Sequence, residues 1–299
     1  MVKGRSNDLS TEPLVSVIIP TFNRKDDLLL CLNSLKNSTY PNLEIIVVDN
    51  ASTDGTYNTV KQIFPDVKIV INDRNLGVTG GRNRGAIESR GDYLLFLDHD
   101  MIVDKQMIEE LLKAVRVDPK IGIAGPIIYY YDEPSKVWAA GTSISMLTGK
   151  ISFNDKVTYT KYFEVQVIPA PIMVKRRVLD KVGLFDETFF ATYEDTDFCF
   201  RIRKAGYKVV CVPEAKAWHK IPIDSKSQEL RLLSRSYYIA RNRIIFMKKH
   251  ARLSNFMEFL ILFVPIYAIY YTWLGLRYLK LHFIKEYWRG LFEGLREIL

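Results

Sequence analysis

Gly91-Asp92-Tyr93-Leu94-Leu95-Phe96-Leu97-Asp98-His99-Asp100 is the stretch on which the fold turns. Tyr93 to Leu97 is an unbroken apolar run with turn-formers before it, which predicts a short strand buried on both faces. The run stops at two carboxylates. With the chain still extended, side-chain alternation puts Asp98 and Asp100 on one side and His99 on the other. Ligands of open α/β sheets lie just outside the carboxyl ends of the strands. Two acids aimed there suit a hard divalent cation that is shared with substrate phosphates. Taken alone, an Asp-x-Asp triplet is more often a solvated strand-to-loop junction, so the decision rests on the rest of the chain.

Upstream, Val15 to Pro20 reads as a strand, Asp26 to Lys36 as a helix with apolar spacing at Leu28, Leu32 and Leu35, and Leu43 to Val48 as a second buried strand. Tyr57 to Phe64 reads as a helix and Val67 to Ile71 as a third strand. Strands alternating with helices predict βαβ units and a mainly parallel sheet. The polar loops follow the strands, where a nucleotide would bind. Asp49, at a strand tip, is suited to accept from a ring N–H, with Thr21, Asn23 and Asn50 completing the pocket. Ser52, Asp54 and Gly55 read as turn chemistry. The stretch 74–85 is glycine-rich and basic and leads into a helix, with Gly91 expected as its C-cap. Glycines at a helix N-terminus favour phosphate, and Arg82 adds a fork of donors. The spacing is neither that of a Walker motif nor a dinucleotide fingerprint.

The chain has 299 residues, 48% of them hydrophobic, enough for one large core or two modest domains. A net charge of +8 suits an anionic partner, whether nucleic acid, membrane surface or phosphorylated substrate, without choosing among them. Cys31, Cys199 and Cys211 lie far apart and form no C-x-x-C pair. That argues for a reducing compartment and against a disulfide framework or thiolate zinc site. Residues 1–13 form a polar, charged tail without the marks of a secretory signal.

Four ordered blocks now carry a resemblance: residues 15–24 (Val-Ser-Val-Ile-Ile-Pro-Thr-Phe-Asn-Arg), 47–56 (Val-Val-Asp-Asn-Ala-Ser-Thr-Asp-Gly-Thr), 74–77 (Arg-Asn-Leu-Gly) and Asp98-His99-Asp100. Together they resemble a family 2 glycosyltransferase of the GT-A fold, in its rhamnosyltransferase-like branch. The resemblance implies a Rossmann-like, mainly parallel sheet flanked by helices and a nucleotide-diphosphate sugar as donor. It implies that Asp49 reads the base and that Asp98 and Asp100 serve metal and nucleotide. Pro20, Thr21, Asn23, Arg24, Asn50, Arg74, Asn75, Gly77, Arg82 and His99 are the other residues it places at the donor.

Further along, Lys105 to Val115 reads as a helix and Ile121 to Pro126 as a short strand. Trp138, in a Trp–Gly block of the same branch, is a candidate for stacking on a sugar, against the commoner role of a buried aromatic. Residues 192–195 fit a capping box for a helix ending at Ala205, and first-turn acids are favourable at any helix. The resemblance gives them a second meaning. Tyr193-Glu194-Asp195-Thr196-Asp197 looks like the family's Glu-Asp motif, with Asp195 as general base, Glu194 placing the acceptor and Asp197 structural. Trp218 and His219, after a strand at Val209–Pro213, resemble the family's Trp-His block. They imply an acceptor contact and a metal or diphosphate contact respectively. Imidazole beside two carboxylates suits Mn²⁺ over Mg²⁺.

Phe259 to Leu276 carries no charge for eighteen residues, marginally long enough to span a bilayer, with Pro265 expected to kink it. Arg277, Lys280, Lys285 and Arg289 then interleave with apolar residues, as in a basic amphipathic helix lying in an interface. Positive charge on both flanks favours a helix or hairpin embedded in one leaflet over a simple span, with a dimerisation helix pair as the competing reading.

The expected organisation is therefore a tail (1–13), a glycosyltransferase domain (14–222) with a nucleotide-binding half (14–103) and an acceptor half (104–222), and a membrane-associated helical region (223–299). The expected reaction is metal-dependent (Mn²⁺ or Mg²⁺) inverting transfer from dTDP-rhamnose or a UDP-sugar to a hydroxyl of a lipid-linked glycan. The expected location is the cytoplasmic face of the cell membrane, with no nucleic-acid partner and a possible homodimer. A sugar-phosphate nucleotidyltransferase and a catalytically silent membrane adaptor are the competing functions.

Overall fold

The structure, a computed structural model, describes residues 12–298. Its first half alternates β1 (Val15–Thr21), α1 (Lys25–Lys36), β2 (Leu43–Asp49), α2 (Thr56–Ile63), β3 (Lys68–Ile71), α3 (Gly77–Ile87) and β4 (Tyr93–Phe96). The strands β3, β2, β1 and β4 pair in parallel in that spatial order. Period-2 alternation sorts their side chains onto two faces. Val15, Val17, Ile19, Leu95 and Leu97 pack under α1, whereas Ile18, Leu94 and Phe96 face the opposite layer with Ala86 of α3. Each such fully buried apolar side chain stabilises the fold by roughly 1.5–3 kcal/mol.

The second half brings β5 (Met101–Val103), α4 (Met107–Val117), β6 (Ile121–Tyr130), β7 (Val137–Ala139), β8 (Thr142–Ile144), β9 (Ile151–Phe153), β10 (Phe163–Glu164), β11 (Ile172–Lys175), α5 (Arg176–Val182), α6 (Glu194–Lys204) and β12 (Lys208–His219). Strand β11 inserts antiparallel between β4 and β6, and β12 lies parallel beside β6, so one sheet runs through both halves. The strands expected at 121–126 and 209–213 are longer than their apolar runs. Each continues past a proline, and their pairing shifts register between Val212 and Lys216, where a bulge carries β12 on to His219.

Several local expectations are corrected. The Asp98–Asp100 triplet is not extended: Leu97 leaves the strand, Met101 N–H donates to the Asp98 carbonyl at 3.2 Å, and the chain turns into β5. Gly91 does not cap α3, which ends at Ile87 with Glu88 at its C-cap. Gly91 is instead buried where a Cβ would collide with Ser16. The capping box at 192–195 does not form. The residue before α6 is Tyr193, left-handed, with no side-chain cap.

The C-terminal region is α7 (Ser225–Ser234), α8 (Ser236–His250), α9 (Leu253–Glu258), a π-turn at Phe259–Phe263, α10 (Val264–Arg277) and α11 (Leu281–Arg296). Pro265 sits in the first turn of α10, and the π-turn before it takes the place of the expected kink. Leu253–Arg277 is one helical run, long and apolar enough to cross a membrane by length and composition. A left-handed Leu279 reverses the chain into α11. One face of α11 packs on α8, where Gly290 lets the Tyr237 carbonyl approach closer than any Cβ would allow. Ile239, Ile244 and Phe246 of α8 share a core with Tyr271, Tyr287 and Leu291, and with Phe189 and Tyr193 of the loop before α6. On the outside, Ile266 (55%), Ile269 (71%), Trp273 (51%) and Leu276 (52%) leave an apolar stripe exposed along α10.

Candidate active site

The strand tips β1, β2 and β4, the start of α6 and the end of β12 bring most of the sequence's candidate residues to one edge of the sheet. At its centre is Arg82. Its side chain is fully buried, Nη1 donates to Asp195 Oδ1 at 2.6 Å and Nη2 donates to Asp98 Oδ1 at 2.8 Å. Its guanidinium lies 5.1 Å from the Phe185 ring centroid. A planar fork with an unremovable charge is the side chain that can hold two carboxylates at once. Arg82 was expected at the phosphates; its fork binds acids instead.

Asp195 also accepts from the Ala170 N–H at 3.2 Å. Burial pushes its carboxyl above the ordinary range, Arg82 opposes that, and the charge of Asp98 adds to it. Glu194 is half-buried, and its Oε2 is buried without a hydrogen-bond partner. Burial first and the neighbouring Asp195 second push Glu194 up to about 8, against the pull of Arg82. The Arg82 guanidinium and the Ala170 N–H favour the charged form of Asp195, whereas burial without a hydrogen-bond partner at Oε2 favours the neutral form of Glu194.

The two residues before α6 are left-handed, Thr192 at φ 64° and Tyr193 at φ 69°. Non-glycine residues in that region cost about 1–3 kcal/mol each and persist only where the surroundings fix them. Asp197, expected to be structural, is. Fully buried, it accepts from Arg201 at 2.8 Å and from Lys249 and His250 at 2.7 Å, which ties α6 to the end of α8. Burial pushes its carboxyl up, but these three partners outweigh it and bring it down to about 2.

Asp100 lies on the turn after Asp98. His219 Nε2 is 3.2 Å from its Oδ2, and although burial raises the carboxyl, His219 holds it well below the usual range. His219 Nδ1 is buried without a partner. Among the described residues no three acidic, histidine or cysteine side chains converge to hold a metal by themselves. The donor set still fits a divalent ion of the kind that takes one or two carboxylates and completes its shell from substrate phosphates. Asp100 and His219 stand about as far apart as neighbouring ligands on one ion, and Asp98 has a second oxygen outside its bond to Arg82. Half-buried Arg231 on α7, which the sequence reading missed, lies close enough to feel the charges of Asp100 and Asp98. Burial and Arg235 lower it to about 10.

On the nucleotide side, Asp49 is buried at the tip of β2 and accepts from Ser52 N–H at 2.9 Å. Thr21 faces it across the β1–β2 pairing with its hydroxyl unpartnered. Asn50 is engaged at both ends, accepting from Asn72 and donating to the Gly77 carbonyl. Asn23 accepts from Thr53 N–H. Asp54 takes Thr56 N–H, the turn role expected of it. His99 bonds the Pro20 carbonyl through Nδ1 at 3.2 Å, while Arg24 and Arg74 are exposed. The glycine-rich helix is not an open phosphate cradle: Val78 N–H donates to the Phe190 carbonyl, and Asn75 accepts from Gly77, whose φ of 74° suits glycine. Trp138 sits half-buried against Phe153 and edge-on to His219 at 4.8 Å. Trp218 turns away, bonding the Pro134 carbonyl and leaning on Tyr129. A cleft lined by Ala140, Ser152, Phe153 and Gln166 contains none of these acids.

Solved structures share this architecture. Mannosyltransferase PcManGT from Pyrobaculum calidifontis, in complex with GDP-Man and Mn²⁺, superposes with a TM-score of 0.61 at 16% identity, over 97% of this chain and 88% of that one. GalNAc-T7 with UDP, GalNAc and Mn²⁺ gives 0.61 at 18% identity, over 78% of this chain and 51% of that one. Likeness at such identity is a likeness of fold, and the fold is of the GT-A type. In sequence, the chain is 30% identical over 190 residues to an uncharacterized glycosyltransferase of Haemophilus influenzae, an alignment covering 63% of this chain and 62% of that protein's length. Residues 16–183, more than half of the chain, match the family described as Glycosyl transferase family 2, and the chain belongs to it.

Proposed function

We propose that this protein transfers a sugar from a nucleotide-diphosphate sugar to a hydroxyl group with inversion at the anomeric carbon, and that Asp195 is the general base. The observation that carries this reading is the Arg82 fork, which holds the acid at the start of α6 and the acid after β4 in one site at the strand tips. Asp195 takes the proton of the acceptor hydroxyl as its oxygen bonds to the anomeric carbon. The bond from that carbon to the diphosphate oxygen breaks on the opposite side, so one displacement inverts the carbon. Positioned proton transfer of this kind gives roughly 10²–10⁴-fold in rate. Protonated Glu194 is a hydrogen-bond donor for the acceptor, and Trp138 offers it an aromatic wall. Asp49 and Thr21 serve the base of the nucleotide.

Asp98, Asp100 and His219 would hold Mn²⁺ or Mg²⁺, which when bound neutralises charge developing on the departing diphosphate. The related fold of PcManGT holds GDP-Man with Mn²⁺, which supports this assignment. The exposed apolar stripe on α10, with Arg277, Lys280, Lys285 and Arg289 exposed beyond it, supports attachment to an anionic membrane face. A lipid-linked glycan at the cytoplasmic face is the acceptor consistent with that attachment, and dTDP-rhamnose or a UDP-sugar the donor we place first.

The test is release of nucleoside diphosphate by detergent-purified protein from a panel of UDP-, GDP- and dTDP-sugars, with membrane lipid extract as acceptor, in Mn²⁺ and in EDTA. Metal-dependent release from one donor is expected. No release and no binding of any nucleotide sinks the reading.

A further inference from the structure

The basic, aromatic stretch Tyr237–Arg243 has no part in the chemistry so far, yet it is packed against the segment that carries the base. Thr192 and Tyr193 are consecutive left-handed residues, and a β-branched threonine is poorly suited to that conformation. What holds them there comes from α8. Asn242, fully buried, donates both hydrogens of its amide to the loop, to the Ala191 carbonyl at 2.8 Å and the Thr192 carbonyl at 2.9 Å. Arg243 donates from Nε to the Tyr193 hydroxyl at 2.9 Å, and that hydroxyl donates to the Gly149 carbonyl at 2.6 Å. The Arg243 guanidinium in turn lies 3.8 Å from the ring centroid of Tyr267 on α10.

We propose that Asn242 and Arg243 are positioning residues for the base. They clamp residues 191–193 in the double left-handed turn from which Glu194 and Asp195 enter the site, so that the C-terminal helical layer completes the active site rather than merely anchoring it. Two carbonyls fixed by one amide set the orientation of two successive peptide planes, and the next two side chains are the acidic pair. Asp49 and Thr21 sit on β2 and β1, which pair with each other and with β3 and β4. Loosening the clamp should therefore misplace the base and leave nucleotide binding intact. This inference rests on the reading of Asp195 as the base.

The experiment compares wild type, Asn242→Ala, Asn242→Leu, Asp195→Asn and the double variant Asn242→Ala/Thr192→Gly. Each is assayed for nucleoside diphosphate release, for binding of UDP, GDP and dTDP with Mn²⁺, and for hydrogen exchange at the Asp197 amide. That amide donates to the Tyr193 carbonyl at 2.8 Å and so reports on the turn without any substrate. Misplacement by about an ångström costs on the order of 10²-fold in kcat. That loss is expected in both single Asn242 variants, with donor KM and nucleotide Kd within about threefold of wild type and faster exchange at Asp197. Glycine adopts the left-handed turn without side-chain conflict, so Thr192→Gly should return about fivefold or more of the lost kcat. A packing role for Asn242 gives no such rescue. Wild-type kcat and exchange in Asn242→Leu, or parallel loss of kcat and nucleotide binding without rescue, overturns the proposal. Activity retained in Asp195→Asn defeats the reading of the base instead; an inactive Asp195→Asn beside an unimpaired Asn242→Ala defeats the clamp alone.

Discussion

Arg82 and Asp195, 113 residues apart in sequence, meet at 2.6 Å in the protein interior, and the same guanidinium reaches Asp98 at 2.8 Å. One buried cation thus joins the acid at the start of α6 to the acid after β4. The guanidinium between them opposes the repulsion by which the charge of Asp98 pushes the Asp195 carboxyl up.

Removing that cation should cost more than any single surface contact. Arg82→Met leaves two partly buried acids without their partner, and breaking a buried pair costs about 3–5 kcal/mol. Arg82→Lys keeps the charge but loses the fork, so it should fall between wild type and Arg82→Met in stability. Urea titration followed by circular dichroism reads both variants. Arg82→Met with the stability of wild type would show that the ion pairs are not structural.

Asp197 gives the molecule an acid limit. Its carboxyl stands at about 2 in the folded state against 3.8 for an ordinary aspartate, so the unfolded chain binds its proton more tightly. The resulting stability, about 2 kcal/mol, is present above about pH 4 and is lost as pH falls through about 2. Asp197→Asn should lower Tm at pH 7 and narrow the Tm difference from wild type as the pH approaches 2. A Tm difference that is the same at both pH values contradicts the account.

The alternating elements were legible in the sequence because β1, β2 and β4 are apolar runs cut off by proline, aspartate and turn residues. Asp49 and Asp98 were legible as positions within four ordered motifs, and Asp195 through the separate Glu-Asp motif at 193–197. What escaped depends on distant contacts. Nothing local in residues 74–85 says that Arg82 will be drawn to two acids rather than to phosphate. Gly91 looks like a helix cap until the close approach of Ser16 is seen. Thr192 to Asp195 has the pattern of a capping box, but Asn242 binds the carbonyls of residues 191 and 192 and turns the backbone left-handed, so tertiary contact overrides local preference.

If the α10 stripe is a membrane face, Ile266→Ser with Ile269→Ser should reduce co-sedimentation with anionic vesicles by about tenfold or more, because two exposed isoleucines no longer bury apolar surface. Tm should hold, since neither side chain packs in the core. Wild-type sedimentation by the double variant would remove this helix from the membrane contact.

The central claim is that Asp195 takes the acceptor's proton. Its most direct test is the single-turnover rate of nucleoside diphosphate release in the presence of acceptor, for wild type and Asp195→Asn, with nucleotide binding measured on both. The account predicts a loss of about 10²-fold or more at unchanged nucleotide affinity. A rate within about threefold of wild type would contradict it.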